Sequence, residues 1–464
     1  MSMKRRDFLK AASVTLGTLA FSPLGSQRNI NFPATGRPAR LPNIVLVIAD
    51  ALRDDHMSAY GYSQPTTPNI VSWMANQGVT FQQATSAASW TVPGNASIMT
   101  GRSPARFGAS WDLLDVPAGV KMLAEYLHDA GYYNAAFVSA PFIRGSYGFN
   151  RGFDIYDEAA IPHLTSQAGI AEKVNGRAAA WLQTNWPTVS QPLFLLLYYF
   201  DPHTWYNPLP PYDTRYDPTY TGTFTGAVYK DGQEVQTGTI DPPTPRDVEH
   251  LLALYDGEIT YWDVYLGQMF ADLQTRGVLD NTSLLILTAD HADMFGEHGK
   301  WSHGNCVYEE VLRVPLLMRY PGVIPPNTMV NQPVQSMDLM PTILDWVGIP
   351  MPADLQAKSV RALAQGNTAA AWDIFSETEG VSDPAHWAYW QAPRVPLRAV
   401  RRGDWKLIHH VSQPDTDELY QLNAASLYET TNQIAAEPAR AQELRQAIVD
   451  WYGLHTSYLP LVAH

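Results

Sequence analysis

The run Ile44-Val45-Leu46-Val47-Ile48 constrains the fold more than any other stretch of this 464-residue chain. A continuous, β-branched apolar run of that length suits a strand buried on both faces, as in a parallel sheet covered by helices. Residues 135–139, 192–200, 284–288 and 314–319 read the same way, and 79–84 as a shorter strand. Helices are expected at 68–77, 122–130, 169–186, 247–275 and 338–347, with Gly78, Gly131, Gly277 and Gly348 as stops. The alternation gives an α/β fold: a large mixed, mostly parallel sheet between helices. From about residue 350 the character changes. Strands at 398–401 and 405–409 and a closing helix at 437–451 read as a smaller α+β subdomain, 349–464, beside a main domain, 39–348.

Three strands end in ionisable residues: Asp50, then Asp201-Pro202-His203, then Asp290-His291. Open α/β sheets place ligand sites beyond the carboxyl ends of their strands. Each residue alone could be a helix cap or a salt-bridged core group; together they mark a site. A fourth element leads to it. In Ser89 to Arg102, Pro93, Gly94 and Asn95 interrupt the chain, and a helix is expected from 96 to 100, closed by Gly101. Thr91 would then present a nucleophilic hydroxyl near the positive end of that helix. A hard or borderline metal held by Asp50, Asp290, His291 and Thr91 would activate the hydroxyl and neutralise an anionic ester.

The formal net charge of −14 argues against a nucleic-acid partner. A metal can still create a local anion site. Residues 1–30, with Arg5-Arg6 before Phe8-Leu9-Lys10 and an apolar run from Ala11 to Phe21, resemble a twin-arginine export signal. The run is too short for stable membrane insertion. The expectation is export by the twin-arginine machinery to a bacterial periplasm or beyond, the mature chain starting between about residues 27 and 39. The single cysteine, Cys306, excludes an internal disulfide and reads as a small buried residue. The segment 204–246 is long for a compact domain; its aromatics Trp205, Tyr206, Tyr212, Tyr216 and Tyr220 either line a substrate mouth or pin the loop.

Several motifs fall in one order: Asn43 to Arg53 around the first strand, Pro65-Thr66-Thr67-Pro68-Asn69, Ser97 to Arg102, and Thr288-Ala289-Asp290-His291. Gly296-Glu297-His298-Gly299, Tyr308-Glu309-Glu310, Leu312-Arg313-Val314-Pro315-Leu316 and Arg402-Gly403-Asp404-Trp405-Lys406-Leu407 follow. In these the chain resembles the sulfatase family of the alkaline phosphatase superfamily. The resemblance implies an alkaline-phosphatase-like fold and metal-dependent hydrolysis of a sulfate ester on a small molecule or glycan. It implies that His203 or His303 protonates the leaving oxygen, with pocket-wall hydrogen bonding as the other reading of both. It also implies that Lys300 supplies positive charge and that Asn95 and His298 line the substrate.

The departures from the family pattern are specific. Where the family carries C-x-P-x-R or S-x-P-x-R, this chain has Thr91-Val92-Pro93-Gly94-Asn95. Threonine cannot be oxidised to formylglycine, so none is expected, and Asn95 replaces a fixed positive charge. Asp50-Ala51 stands for paired aspartates, and the family's Lys and His are missing from Phe137 to Pro141. The cofactor is one divalent ion, calcium as in the family or manganese or zinc given His291. A second ion on Asp201, His203 and His303 stays open. So do two other functions: a phosphodiesterase or phosphonate monoesterase, and an inactive binding module for sulfated or phosphorylated ligands.

Overall fold

The computed structural model describes residues 41–107, 114–162, 169–203, 205–222, 244–379, 395–422 and 427–453, and the backbone of 229–230 and 233–234. The export segment lies outside the described residues, which belong to one compact unit, Thr35–His464. Among the described residues no helix is long and apolar enough to cross a membrane.

The main sheet contains β1 (Ile44–Ala49), β2 (Val79–Phe81), β3 (Tyr133–Val138), β4 (Ile155–Asp157), β5 (Leu193–Tyr199), β6 (Leu284–Ala289), β7 (Leu316–Arg319) and β8 (Thr328–Val330). Their order is β8-β2-β7-β6-β1-β5-β3-β4. Only β7 runs against the others. Every residue of β1, β5 and β6 is buried, so both faces of the sheet centre are covered, as their unbroken apolar runs require. Register then fixes the site. Ala49 pairs with Ala289 on one side and Tyr199 on the other, so the chain leaves all three strands at one level.

Two expected strands divide. Residues 79–84 split after Phe81, because Ala84–Thr85 joins a small sheet with Arg313–Val314 and Val334–Gln335. Residues 314–319 split at Pro315, which has no N–H to offer a ladder.

The α-helices of six or more residues among the described residues are α1 (Pro68–Trp73), α2 (Thr91–Thr100), α3 (Leu123–Asp129), α4 (Ile170–Asn185), α5 (Pro245–Thr275), α6 (Leu339–Val347) and α7 (Pro438–Gly453). The helix expected over 68–77 stops at Trp73 and a 3-10 turn, Ala75–Gln77, follows. Helix α2 corrects the sequence expectation: it begins at Thr91, not residue 96. Pro93 sits in the first turn, where its missing N–H has no intrahelical partner to lose. Gly94 permits a close approach: a Cβ there would lie 2.7 Å from the backbone oxygen of Asp290. All ten residues of α2 are buried.

The C-terminal sheet runs β9 (Ile374–Thr378), β10 (Leu397–Arg402), β11 (Trp405–His410) and β12 (Glu418–Gln421) in sequential antiparallel order. One face, with Phe375, Val400, Leu407 and Leu419, packs on Ala441, Leu444, Ile448 and Tyr452 of α7. The other, with Leu397, Ala399 and Ile408, packs on Met294, Cys306 and Val311 of the main domain. Cys306 is buried, and burial pushes its thiol up to about 12. Buried Lys406 of β11 joins the two parts, with its Nζ 2.6 Å from Glu309 and 2.7 Å from Glu429.

Two outcomes are expected. Lys406→Met strands two buried carboxylates and costs about 3–5 kcal/mol in urea unfolding, largely restored by adding Glu309→Gln and Glu429→Gln. Gly94→Ala lowers stability by about 1–3 kcal/mol in the same assay, overpacking outweighing better helix propensity.

Candidate active site

The ends of β1 and β6 and the start of α2 bring Asp50, Asp290, His291 and Thr91 together. Asp50, Asp290 and His291 are fully buried, and each offers a ligand atom within 4.8 Å of the others. Thr91 Oγ1 lies 3.3 Å from His291 Nε2. As the first residue of α2, Thr91 stands where backbone N–H groups have no intrahelical acceptor.

Asp290 is held from four directions. Its Oδ1 accepts from the amides of His291 (3.0 Å) and Ala51 (3.4 Å), and its Oδ2 from Asn95 Nδ2 and Tyr198 OH, both at 2.8 Å. His291 Nδ1 lies 2.9 Å from the carbonyl oxygen of Ala292, which can only accept, so Nδ1 carries the proton. In the neutral ring Nε2 is then the lone-pair nitrogen, 3.4 Å from Asp50 and 3.7 Å from Asp290. A backbone acceptor on the outer nitrogen is the usual support of a metal-binding histidine.

Asp50 differs from Asp290: among the described residues neither of its carboxylate oxygens has a hydrogen-bond partner, and it faces His291 Nε2 at 3.4 Å. A buried carboxylate without donors is costly unless a cation meets it. Burial would raise its pKa, but the imidazoles of His203, His291 and His303 outweigh this and hold it below the ordinary value. Burial and then repulsion from Asp50 push Asp290 up to about 7. His291 is drawn up to about 10 because Asp290 and Asp50 outweigh its burial. Three groups competing for protons around converging lone pairs fit one divalent cation on Asp50, Asp290 and His291, with Thr91 at its edge.

The backbone beside Asp50 is strained. Ala51 has φ of 58°, a left-handed conformation that costs a non-glycine residue about 1–2 kcal/mol. Tyr255 OH donates to Ala51 O at 2.8 Å and accepts from the amide of Arg53, also at 2.8 Å.

A histidine group borders the cluster. The His303 ring is 4.3 Å from that of His291 and 5.0 Å, edge-on, from that of His203, which stacks on Phe200. His303 Nδ1 is 2.6 Å from Asp293 Oδ1, and Tyr206 OH donates to Asp293 Oδ2, also at 2.6 Å. Burial and repulsion from His291 lower His303 to about 4, despite Asp293. Burial opposes it, but His303, His203 and His291 keep Asp293 well below the carboxylate range.

The other expected residues have partners of their own. Asn95 directs its amide nitrogen to Asp290, Thr91 O and Tyr198, so this group supports the site rather than facing a ligand. His298 stacks on Tyr308 at 3.9 Å, with Nε2 3.4 Å from Glu310. The Lys300 amide donates to Glu297 O, and its charge acts on Cys306. Asp201 belongs to none of the potential metal groups among the described residues. Its pKa is pushed up to about 7 by burial. Sequence reasoning passed over Asp293, two residues beyond His291, and Tyr198, near the end of the apolar run of β5; those positions were the available signal. Of the loop aromatics, Tyr206 is buried and pins the segment.

The chain matches the Sulfatase family over residues 42–349 and the N-sulphoglucosamine sulphohydrolase C-terminal family over 296–449. An N-acetylglucosamine-6-O-sulfatase of Bacteroides thetaiotaomicron is 24% identical, over 89% of this chain and 85% of that one. The phosphonate monoester hydrolase of Silicibacter pomeroyi shares the fold at a TM-score of 0.70 and 24% identity, over 90% of this chain and 96% of that one. A protein solved with its substrate D-glucosamine-2-N,6-O-disulfate superposes at 0.73 and 19% identity, over 92% and 100%. With the Sulfatase match spanning well over half its length, the chain belongs to the sulfatase family of sulfuric ester hydrolases.

Proposed function

We propose that the chain is an exported, metal-dependent hydrolase of an anionic ester, a sulfate ester by family, with Thr91 as its nucleophile. The observation that carries this reading is the Thr91 hydroxyl, 3.3 Å from His291 Nε2, beside a buried Asp50 carboxylate with no hydrogen-bond donor. Asp50, Asp290 and His291 would hold the ion, and the nitrogen donor favours manganese or zinc over calcium. When bound, it supplies Lewis-acid charge for the nucleophile and ester oxygen.

Thr91 forms a bond to the central sulfur or phosphorus as the ester oxygen departs, and the N–H groups at the start of α2 face the anion. His203 or His303 gives the departing oxygen its proton, and Lys300 adds positive charge. The product on Thr91 is an ordinary ester, which cannot expel sulfate as a geminal diol does. Water must therefore attack the central atom a second time.

The second reading is a phosphonate monoesterase or phosphodiesterase. It is favoured by Thr91 itself and by the likeness to a phosphonate monoester hydrolase. Rates on aryl sulfate, phosphonate monoester and phosphate diester, with chelated protein reloaded with calcium, manganese or zinc, separate the two. Tight ligand binding with no turnover on any ester would instead identify a binding module and sink both. Thr91→Ala is expected to lower kcat by about 1,000-fold or more with metal content retained; undiminished activity would exclude the nucleophile. Metal at 100 times its Kd should stabilise the wild type by about 2.7 kcal/mol, seen as a higher melting temperature. Asp290→Asn should abolish that response.

A further inference from the structure

We infer that Asp293 is a positioning residue that makes His303, rather than His203, the proton carrier of the reaction. The inference rests on the ester-hydrolase reading above. Asp293 is fully buried and spends one carboxylate oxygen on His303 Nδ1 at 2.6 Å and the other on Tyr206 OH at 2.6 Å. Its backbone oxygen accepts from Arg53 Nη1 at 3.1 Å, so the residue is fixed at main chain and side chain. A buried carboxylate held that way accepts Nδ1–H from the imidazole and sets both its tautomer and its plane. Proton exchange then falls to Nε2.

The placement suits that work. The His303 side chain retains 13% exposure while Asp293 has none, so the imidazole reaches the substrate side and its anchor stays dry. Its ring stands 4.3 Å from His291, whose Nε2 meets Thr91. The carrier is thus one ring from the attacking hydroxyl. Tyr206 lies seven residues beyond the end of β5, so its hydroxyl ties the orientation of His303 to residues 205–222.

In the step assigned to the pair, Thr91 has passed its proton through solvent to Nε2 of neutral His303, and its oxygen bonds to sulfur or phosphorus. The bond from that atom to the leaving oxygen breaks, and His303 Nε2 delivers a proton to the leaving oxygen. In the second half His303 Nε2 takes a proton from the water that attacks the Thr91 ester, which restores the starting state. No other reactant is needed.

The test uses the metal-loaded full-length enzyme and aryl esters that differ only in the acidity of the leaving phenol. With Asp293→Asn, Tyr206 keeps the amide oxygen and turns the NH2 toward Nδ1, which disfavours the working tautomer. The variant should lose about 100-fold or more in kcat on the least acidic phenol and under about 10-fold on 4-nitrophenol. KM and metal content should stay near wild type. His303→Ala should show the same selective loss, and adding Asp293→Asn to it should cost little more, as expected of groups acting as one unit. Tyr206→Phe, which leaves Asp293 in place, should give a smaller loss of the same kind. An equal loss across all phenols would overturn the inference and leave Asp293 a structural residue. Loss of bound metal in Asp293→Asn would overturn it by making Asp293 a ligand. Absence of turnover on any ester by the wild type would remove the parent reading and this one together.

Discussion

Much of the molecule is arranged around one carboxylate that the described residues leave without a hydrogen-bond donor. Asp50 follows directly on a strand with no exposed residue. Burying it without a hydrogen-bond donor opposes folding, so its place must be enforced by something stronger. The parallel pairing of β1 with β5 and β6 supplies that force, since it locks six buried apolar residues of β1 into the middle of the sheet. Core packing therefore sets the position of a group that hydrogen bonding would never have chosen.

Around that point the support is asymmetric. Among the described residues Asp290 receives four donors and Asp50 none, so hydrogen bonding fixes one carboxylate and leaves the other to its neighbouring imidazoles. The strained turn at Ala51 is kept by the Tyr255 hydroxyl, which bonds on both sides of it. Arg53 then reaches Glu297 and the backbone of Asp293, and so ties the loop carrying His303 to the end of β1. Strand end, turn and loop behave as one piece of masonry.

The sheet and three of the cluster residues were legible because they follow from local pattern. Continuous apolar runs give central strands, and strands in parallel register deliver their next residues at one level, which puts Asp50, Asp290 and His291 side by side. The start of α2 was not legible. Pro93 and Gly94 look like breakers, yet the first forfeits nothing in an opening turn and the second answers to Asp290, almost two hundred residues away in sequence. The partners of Asn95, and Asp293 altogether, escaped for a related reason. Asparagine and aspartate have no local signature separating a ligand-facing group from one that bonds a distant partner. The direction of their side chains is decided by tertiary packing alone.

The close approach at Gly94 also bears on how such a site can change over generations. Position 91 stands at the mouth of the cluster, where a hydroxyl, a thiol or a modified side chain meets the same Nε2 of His291. Position 94 leans on the backbone of the strand end that carries Asp290, where nothing larger than hydrogen fits. A lineage can therefore exchange the side chain at position 91 in one substitution, whereas altering the seat of the helix requires rebuilding the sheet beneath it. The chemistry is the mobile character of this architecture, and the geometry is the inherited one.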